Sequence, residues 1–334
     1  MKTYTHICKQ SQNSPRARMA GFSLIEMMIS ITIGLLIIIA LISVLTSASS
    51  STRTNDRTTE LQGNGRYALD HLKLELRHAG YRGYTWAEPT LPLSTPIAVN
   101  FTNECLAGAA AGTFIQNFRQ GIWGANNASP FSGAGDCLNG RYLRGDVLVI
   151  RRVANAPTTA LIPNTLYLRS TYNSGEIFQA PAAPVLTGMP LADFAVQEHV
   201  YYIGRDDNNA AIPALRRRTL RLNDMVDEMV VSGIEQMQVQ YGSATSDLNT
   251  RYYNAGEAPD LAGASTSVGA TKNGWDNVNS VRIWLLARGS RAEAGYINTT
   301  INTTGYVMGD ITHTQPASDS FHRQVFVTVV QLRN

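Results

Sequence analysis

The stretch MAGFSLIEMMISITIGLLIIIALISVLTS (Met19–Ser47) decides the fold of this chain. Its apolar part runs from Phe22 to Leu45, and at about 1.5 Å per residue a helix of this length spans roughly 36 Å. That length crosses the hydrocarbon core of a bilayer with some tilt. The sequence therefore predicts a membrane-spanning helix that carries one carboxylate, Glu26, close to its start.

Basic residues precede the apolar stretch. Residues 1–21 carry Lys2, Lys9, Arg16 and Arg18 and no acid. Because short segments rich in Lys and Arg stay in the cytoplasm, we expect residues 1–21 there and the body of the chain across the membrane. Without these four of the 28 basic residues, 24 basic residues oppose 25 acidic ones. A near-neutral body gives no electrostatic argument for nucleic-acid binding.

The small residue at a sharp boundary, Gly21, stands before the apolar stretch, whereas a secretory signal peptide is cut after it. The segment GFSLIEMMISITIG (Gly21–Gly34) resembles the class III signal of type IV prepilins. In that signal, Gly and Phe precede an apolar helix with Glu at the fifth position of the mature chain, as Gly21, Phe22 and Glu26 do here. The resemblance implies cleavage between Gly21 and Phe22 by a prepilin peptidase and N-methylation of Phe22.

The position of Glu26 needs a chemical explanation, because an unpaired charge in hydrocarbon is costly. In the proteins that carry this signal, the carboxylate meets the terminal amine of a neighbouring subunit. The resemblance therefore assigns Glu26 to subunit assembly. The alternative is that Glu26, being near the helix end, reaches the lipid headgroups.

Helical periodicity continues beyond Ser47 as one apolar stripe. Gly80 and Gly83 are expected to end the helix, so that a single helix runs from Phe22 to about Gly80. A pair of glycines, at 63 and 65, marks a point where the helix is weakened. The stripe consists of Leu61, Ala68, Leu69, Leu72, Leu76 and Ala79.

Residues 84–140 are rich in Pro, Gly, Ala, Asn and Ser and predict a loop-rich region. This region contains Cys105 and Cys137, which we expect to form a disulfide in an oxidising compartment. Two unpaired, partly buried thiols are the alternative.

Residues 141–334 predict a β-rich globular domain. Apolar residues recur at every second position in IEQMQVQYG (Ile234–Gly242), VNSVRIWLLARG (Val278–Gly289) and RQVFVTVVQLRN (Arg323–Asn334). The expected fold class is α+β and pilin-like, with the long helix packed on a largely antiparallel sheet. Further strands are expected within 142–153, 198–204 and 214–222, and long loops at 243–277 and 289–320. The expected organisation is a cleaved leader (1–21), a membrane and assembly half of the helix (22–47), its soluble half (48–83), the loop-rich region (84–140) and the β domain (141–334).

A second resemblance extends over most of the mature chain. Blocks such as NGRYALDHLKLELRHAGYRGY (Asn64–Tyr84), VVSGIEQMQVQYG (Val230–Gly242) and FVTVVQLRN (Phe326–Asn334) look, in this order, like the PilW-type minor pilins. The resemblance implies a low-abundance subunit that primes type IV pilus assembly and sits near the pilus tip. Its implied partners are the prepilin peptidase, other minor pilins, the major pilin and a tip adhesin. Its implied location is the inner membrane, with a periplasmic domain, before assembly and the pilus afterwards.

Two other functions stay open from the residues. A minor pseudopilin of type II secretion shares the leader, the helix and Glu26, and a signal-anchored periplasmic enzyme would keep its N-terminus intact. The sequence has no G-x-S-x-G, no Gly-rich phosphate loop and no Cys/His set with zinc spacing. We expect neither catalysis nor a cofactor.

Three further groups of polar residues are candidates for binding. His71 and His78 lie two turns apart on the predicted helix, too far for one metal ion without a third ligand between them. RDDNN (Arg205–Asn209) offers oxygen ligands but predicts a turn between strands. The run Arg216–Arg218 predicts a solvated edge strand on which Arg217 points opposite to its neighbours, with a binding patch as the alternative.

Overall fold

A computed structural model describes residues 21–85, 99, 101–105, 114–118, 120–131, 136–244, 250–257 and 274–333. Residues 1–20 of the predicted leader (1–21) and parts of the predicted loops at 84–140 and 243–277 lie outside the described residues. The chain divides into two compact units, Met1–Thr54 and Asn55–Asn334. Each unit is described by itself below.

One helix, α1 (Leu24–Arg77), runs through the predicted membrane stretch and the predicted soluble stripe. Its sequence has no proline, and it carries an acid in its first turn and a base in its last turn, which suits the helix dipole. In its Ser- and Thr-rich middle, hydroxyls donate back to carbonyls one turn earlier, as Thr52 does to Ala48 at 3.0 Å. Beyond the helix end, Gly80 adopts a φ of 77°, which favours glycine.

A seven-stranded antiparallel sheet forms the larger part of the second unit. Its path is β1-β2-β5-β3-β4, and β6 and then β7 continue from β5. The long strand β5 pairs with β3 through its first four residues and with β2 and β6, on its two sides, through the rest of its length. The strands are β1 (Ile122–Ala125), β2 (Arg144–Val153), β3 (Leu166–Ser170), β4 (Gly175–Gln179), β5 (Ala192–Arg205), β6 (Pro213–Arg221) and β7 (Asp224–Ser232).

A four-stranded antiparallel sheet, in the order β13-β10-β8-β9, follows in the chain. It is accompanied by a two-stranded hairpin, β11-β12. The strands are β8 (Ile234–Ala244), β9 (Thr250–Asn254), β10 (Val278–Arg288), β11 (Tyr306–Met308), β12 (Ile311–His313) and β13 (Arg323–Gln331). The expected α+β class, with a long helix and antiparallel sheets, is confirmed.

The core joins the helix to both sheets. The stripe residues Leu61, Ala68, Leu72 and Leu76 are buried, as are alternate residues of the sheets, and all belong to one apolar cluster. The apolar residues at alternate positions of β8 and β10 therefore lie on the face of the sheet that packs in the core. The buried ones are Met237, Val239, Tyr241, Val281, Ile283 and Leu285.

Several predicted loops contain strands. The region 289–320 was expected to be a loop but holds the hairpin β11-β12, and 243–277 holds β9. The region 84–140 holds β1, and β3, β4 and β7 were not expected. The sequence did not predict these strands because most of them are short and β7 mixes acidic with apolar residues. Pairing with neighbouring strands, rather than local sequence, decides their conformation.

Candidate assembly segment

Three residues without regular secondary structure, Gly21-Phe22-Ser23, precede α1. The first helical hydrogen bond joins the N–H of Met27 to the carbonyl oxygen of Ser23 at 3.1 Å. Phe22 is 81% exposed. The Gly21–Phe22 peptide bond therefore lies just outside the helix, in backbone without regular secondary structure.

Glu26 lies in the first turn of α1 and is exposed. The hydroxyl of Ser30 donates to the main-chain oxygen of Glu26 at 2.7 Å. This hydrogen bond does not involve the carboxylate. Within the described part of the chain, no side chain pairs with that carboxylate.

The side chains around Glu26 are apolar and exposed. Phe22, Leu24 and Ile25 precede it, and the large apolar residues from Met27 to Leu45 are each more than half exposed. By length and composition, α1 contains a segment apolar enough to cross a membrane. The segment thus combines an exposed apolar surface, which is favoured in lipid over water, with a single carboxylate, which a cation would stabilise in that environment.

The soluble part of α1 is fixed to the larger sheet by a buried ion pair. Arg152 Nε of β2 donates to Glu75 Oε2 at 2.9 Å, and Nη2 donates to Oε1 at 3.3 Å. Both residues are 8% exposed. A two-pronged contact of this kind fixes both the distance and the rotation of the helix relative to the strand.

A histidine completes this cluster. His199 Nε2 lies 3.6 Å from Glu75 Oε2, and its Nδ1 lies 2.9 Å from the hydroxyl of Thr219. Burial lowers the pKa of His199 to about 4, against the opposing effect of Glu75. Burial raises the pKa of Glu75, but the charges of His199 and Arg152 outweigh it and hold that pKa below its usual value. Since His199 is neutral near pH 7, Arg152 carries this effect there.

The two glycines that predicted a weak point in α1 have different roles. The helix is continuous through both. Gly65 is buried, and a Cβ at this position would overlap the ring of Phe326 from β13. Gly63 faces open space. Gly65 therefore permits a close approach of helix and strand, which is a packing role and not a weakness.

The structure joins Cys105 and Cys137 in a disulfide, with 4.6 Å between their Cα atoms. Both cysteines are buried in the apolar core. The alternative of two unpaired thiols is not what the structure shows.

The two helical histidines do not come together in one site. His71 Nε2 lies 3.0 Å from the hydroxyl of Tyr201, whereas His78 Nδ1 lies 2.9 Å from the carbonyl oxygen of Leu74. RDDNN forms the turn between β5 and β6, in which Asp206 Oδ1 accepts from the N–H of Asn208 at 2.7 Å. Among the described residues, no group of three or more His, Cys, Asp or Glu has the arrangement to hold a metal ion.

The prediction of a solvated edge strand at Arg216–Arg218 was wrong. β6 pairs with β5 on one side and β7 on the other, so it is internal. Arg216 is buried and donates to Asp207 at 2.7 Å and to Asp227 at 2.5 Å. Arg217 points to the opposite face, as expected, and pairs with Glu228 at 3.0 Å.

Sequence reasoning missed further buried charges. Arg151 Nε lies 3.3 Å from Glu198 Oε1, and both side chains are completely buried. Arg323 of β13 donates to Glu235 at 2.5 Å, again with both side chains buried. In the sequence, a charged residue inside an apolar strand indicates that it has a buried partner of opposite charge. It does not identify which residue that partner is.

Comparison with known proteins bears on the C-terminal part of the chain. Residues 200–334 match the family model of PilW, described as type IV pilus-assembly protein W. The resemblance to PilW is confirmed over this region. A solved structure of a type IV-like pilin from Thermus thermophilus is 13% identical, with a TM-score of 0.31, and the match covers 84% of this chain and 96% of that one. Among curated proteins, none matches this chain.

Proposed function

We propose that this chain is a minor pilin, which enters a type IV pilus through the N-terminal half of α1. The observation that carries the proposal is Glu26: an exposed carboxylate in the first turn of an exposed apolar helix, directly after a Gly-Phe pair. The match of residues 200–334 to PilW supports a pilus-related role independently of this segment. The role is assembly and not catalysis.

The proposed mechanism begins in the inner membrane. A prepilin peptidase hydrolyses the bond between Gly21 and Phe22, which removes the basic leader and leaves a free amine on Phe22. N-methylation keeps this amine cationic and adds apolar surface. The helix from Phe22 to Leu45 then holds the subunit in the bilayer, with the sheet domain in the periplasm.

Assembly follows from the charge of Glu26. In hydrocarbon a carboxylate is costly unless a cation neutralises it. The terminal amine of a neighbouring pilin is such a cation, at a similar depth in the membrane. Pairing with this amine stabilises the subunit in the fibre relative to the subunit in the lipid bilayer. The resemblance to PilW supports a place among other minor pilins near the pilus tip, where this chain would prime assembly and carry an adhesin.

The test compares two acidic residues of the same helix. Glu26→Ala should insert and be cleaved normally but appear in sheared pili at a small fraction of the wild-type amount, because the amine of its neighbour is left unpaired. Asp56→Ala removes the same charge from an exposed position outside the apolar stretch and should assemble normally. Immunoblots of membrane and pilus fractions give, for each variant, the ratio of protein in pili to protein in the membrane.

Normal incorporation of Glu26→Ala would refute the docking role. Deletion of the gene separates pilus from secretion: loss of pili and twitching supports the proposal, whereas loss of exoprotein secretion with intact pili identifies a pseudopilin.

A further inference from the structure

The last strand, β13, forms a free edge of the four-stranded sheet. It pairs with β10 in unbroken register over nine residues. The N–H of Leu332 and the carbonyl of His322 bond to the β10 side. Because these groups alternate along an antiparallel strand, Val325, Val327 and Val329 direct their N–H and C=O groups away from β10. No strand in the described ranges pairs with them.

The other sheet edges are protected in the usual ways. β1 has four residues, and β4 and β9 have five each, and so they offer little backbone. β7 is longer but carries Asp224, Asp227 and Glu228, and its register with β6 is broken by an irregularity. Short length, charge and bulges all discourage the addition of another strand.

β13 has none of these protections. Between Arg323 and Gln331 it carries no charge and no proline. Val327 and Val329 are 51% and 47% exposed. A long, regular and apolar edge is where another strand adds most readily.

A basic cleft lies at the C-terminal end of this edge. Lys73 and Arg77 of α1 line a cleft of about 220 Å³ together with residues 329–333, which include Arg333. All three charged residues of the lining are basic. The nearest acid along the helix, Glu75, is buried against Arg152, and Asp70 is exposed one turn before Lys73.

We propose that the β13 edge binds an extended segment of another protein, which adds as a strand and places carboxylates in this basic cleft. Charge disfavours pairing of β13 with the β13 edge of a second copy, because the charged residues within the described range 323–333 are Arg323 and Arg333, which are both basic. This surface is separate from the Glu26 segment, and its binding does not depend on the proposed pilus function.

The test uses the full chain in detergent micelles and two labelled synthetic peptides, Glu-Glu-Thr-Val-Thr-Val-Thr-Val and the same sequence beginning with Lys-Lys, because a strand that adds antiparallel to β13 has its N-terminal end beside the cleft. Fluorescence anisotropy should show that the acidic peptide binds roughly tenfold tighter or more, the effect expected of two or three partly exposed charge pairs. Hydrogen exchange should slow at the amides of Val325, Val327 and Val329 when it binds.

Variants separate the strand from the charges. Lys73→Glu/Arg77→Glu should reverse the preference between the peptides, whereas Arg53→Glu/Arg66→Glu, on exposed positions of the same helix, should not. Val327→Pro removes a donor from the free side only and should abolish binding of both peptides, with an unchanged melting curve as the control for folding.

Equal binding of the two peptides, or binding without slowed exchange in β13, would overturn the proposal. So would a dimer of the chain itself that Val327→Pro dissociates, since the occupant would then be a second copy.

Discussion

Two glutamates of α1 show how position decides the role of one residue type. Glu75 is buried and held by Arg152 and His199. Glu26 is exposed and has no partner among the described side chains. The first carboxylate is satisfied inside the subunit and contributes to its stability. In the proposed function, the second pairs with a cation supplied by another subunit.

At the residue scale, His199 predicts how stability depends on pH. Its pKa in the folded chain is about 4, whereas an unfolded histidine has a pKa near 6.5. Between these values the unfolded chain binds the extra proton, so stability is fully present above about pH 6.5 and falls as the pH drops towards 4. We expect roughly 3 kcal/mol of the wild-type stability to be lost in this window through His199.

The measurement is urea unfolding of the full chain in micelles, followed by tryptophan fluorescence, at pH values from 7 to 4. From pH 7 to pH 4, the free energy of unfolding of His199→Gln should fall by roughly 3 kcal/mol less than that of the wild type. His78→Gln, a histidine outside the cluster, should follow the wild type. Parallel pH profiles for wild type and His199→Gln would contradict the assignment.

At the scale of elements, the contact of α1 with β13 depends on the absence of a side chain at Gly65. Gly65→Ala places a Cβ against the Phe326 ring, and we expect it to lower the free energy of unfolding by about 1–3 kcal/mol. Gly63→Ala is the matched control two residues away. It faces open space and should raise stability by up to about 1 kcal/mol through helix propensity.

Denaturant unfolding of both variants under the same conditions gives the two values. A stabilised Gly65→Ala would show that the helix does not approach β13 this closely. Equal effects of the two substitutions would show that helix propensity alone governs both positions.

The elements also show what the sequence can predict. Periodicity located α1, β8, β10 and β13 because apolar residues recur along one face of each, which local spacing records. It did not predict that Arg216 is buried, because its partner Asp227 comes from β7, a strand that was itself not expected. The Gly-Phe-Glu segment was readable because it is local. The cluster of Glu75, Arg152 and His199 was not, since only the fold brings these three elements together.

At the scale of the whole molecule, the disulfide closes a loop across a separation of 32 residues. The loop-entropy estimate gives roughly 3–4 kcal/mol of stabilisation. We expect Cys105→Ala/Cys137→Ala to lower the unfolding free energy by that amount, and reduction of the wild type to do the same. Cys8→Ala, in the leader, should have no effect. Two titratable thiols in the oxidised wild type, with unchanged gel mobility on reduction, would contradict the bond.

The two units of the chain have different tasks in the proposed function. The N-terminal unit supplies an apolar helix and one carboxylate, and the larger unit supplies a folded domain whose C-terminal part matches PilW. We propose that removal of the leader links the two tasks, because cleavage would create the amine that one subunit offers to the glutamate of the next.

The mass of the N-terminal peptide of the protein purified from its own membranes tests this account most directly. The account predicts a chain that begins with N-methylated Phe22. A chain that still begins at Met1 would contradict it, and would favour a signal-anchored protein in which Gly21, Phe22 and Glu26 coincide by chance.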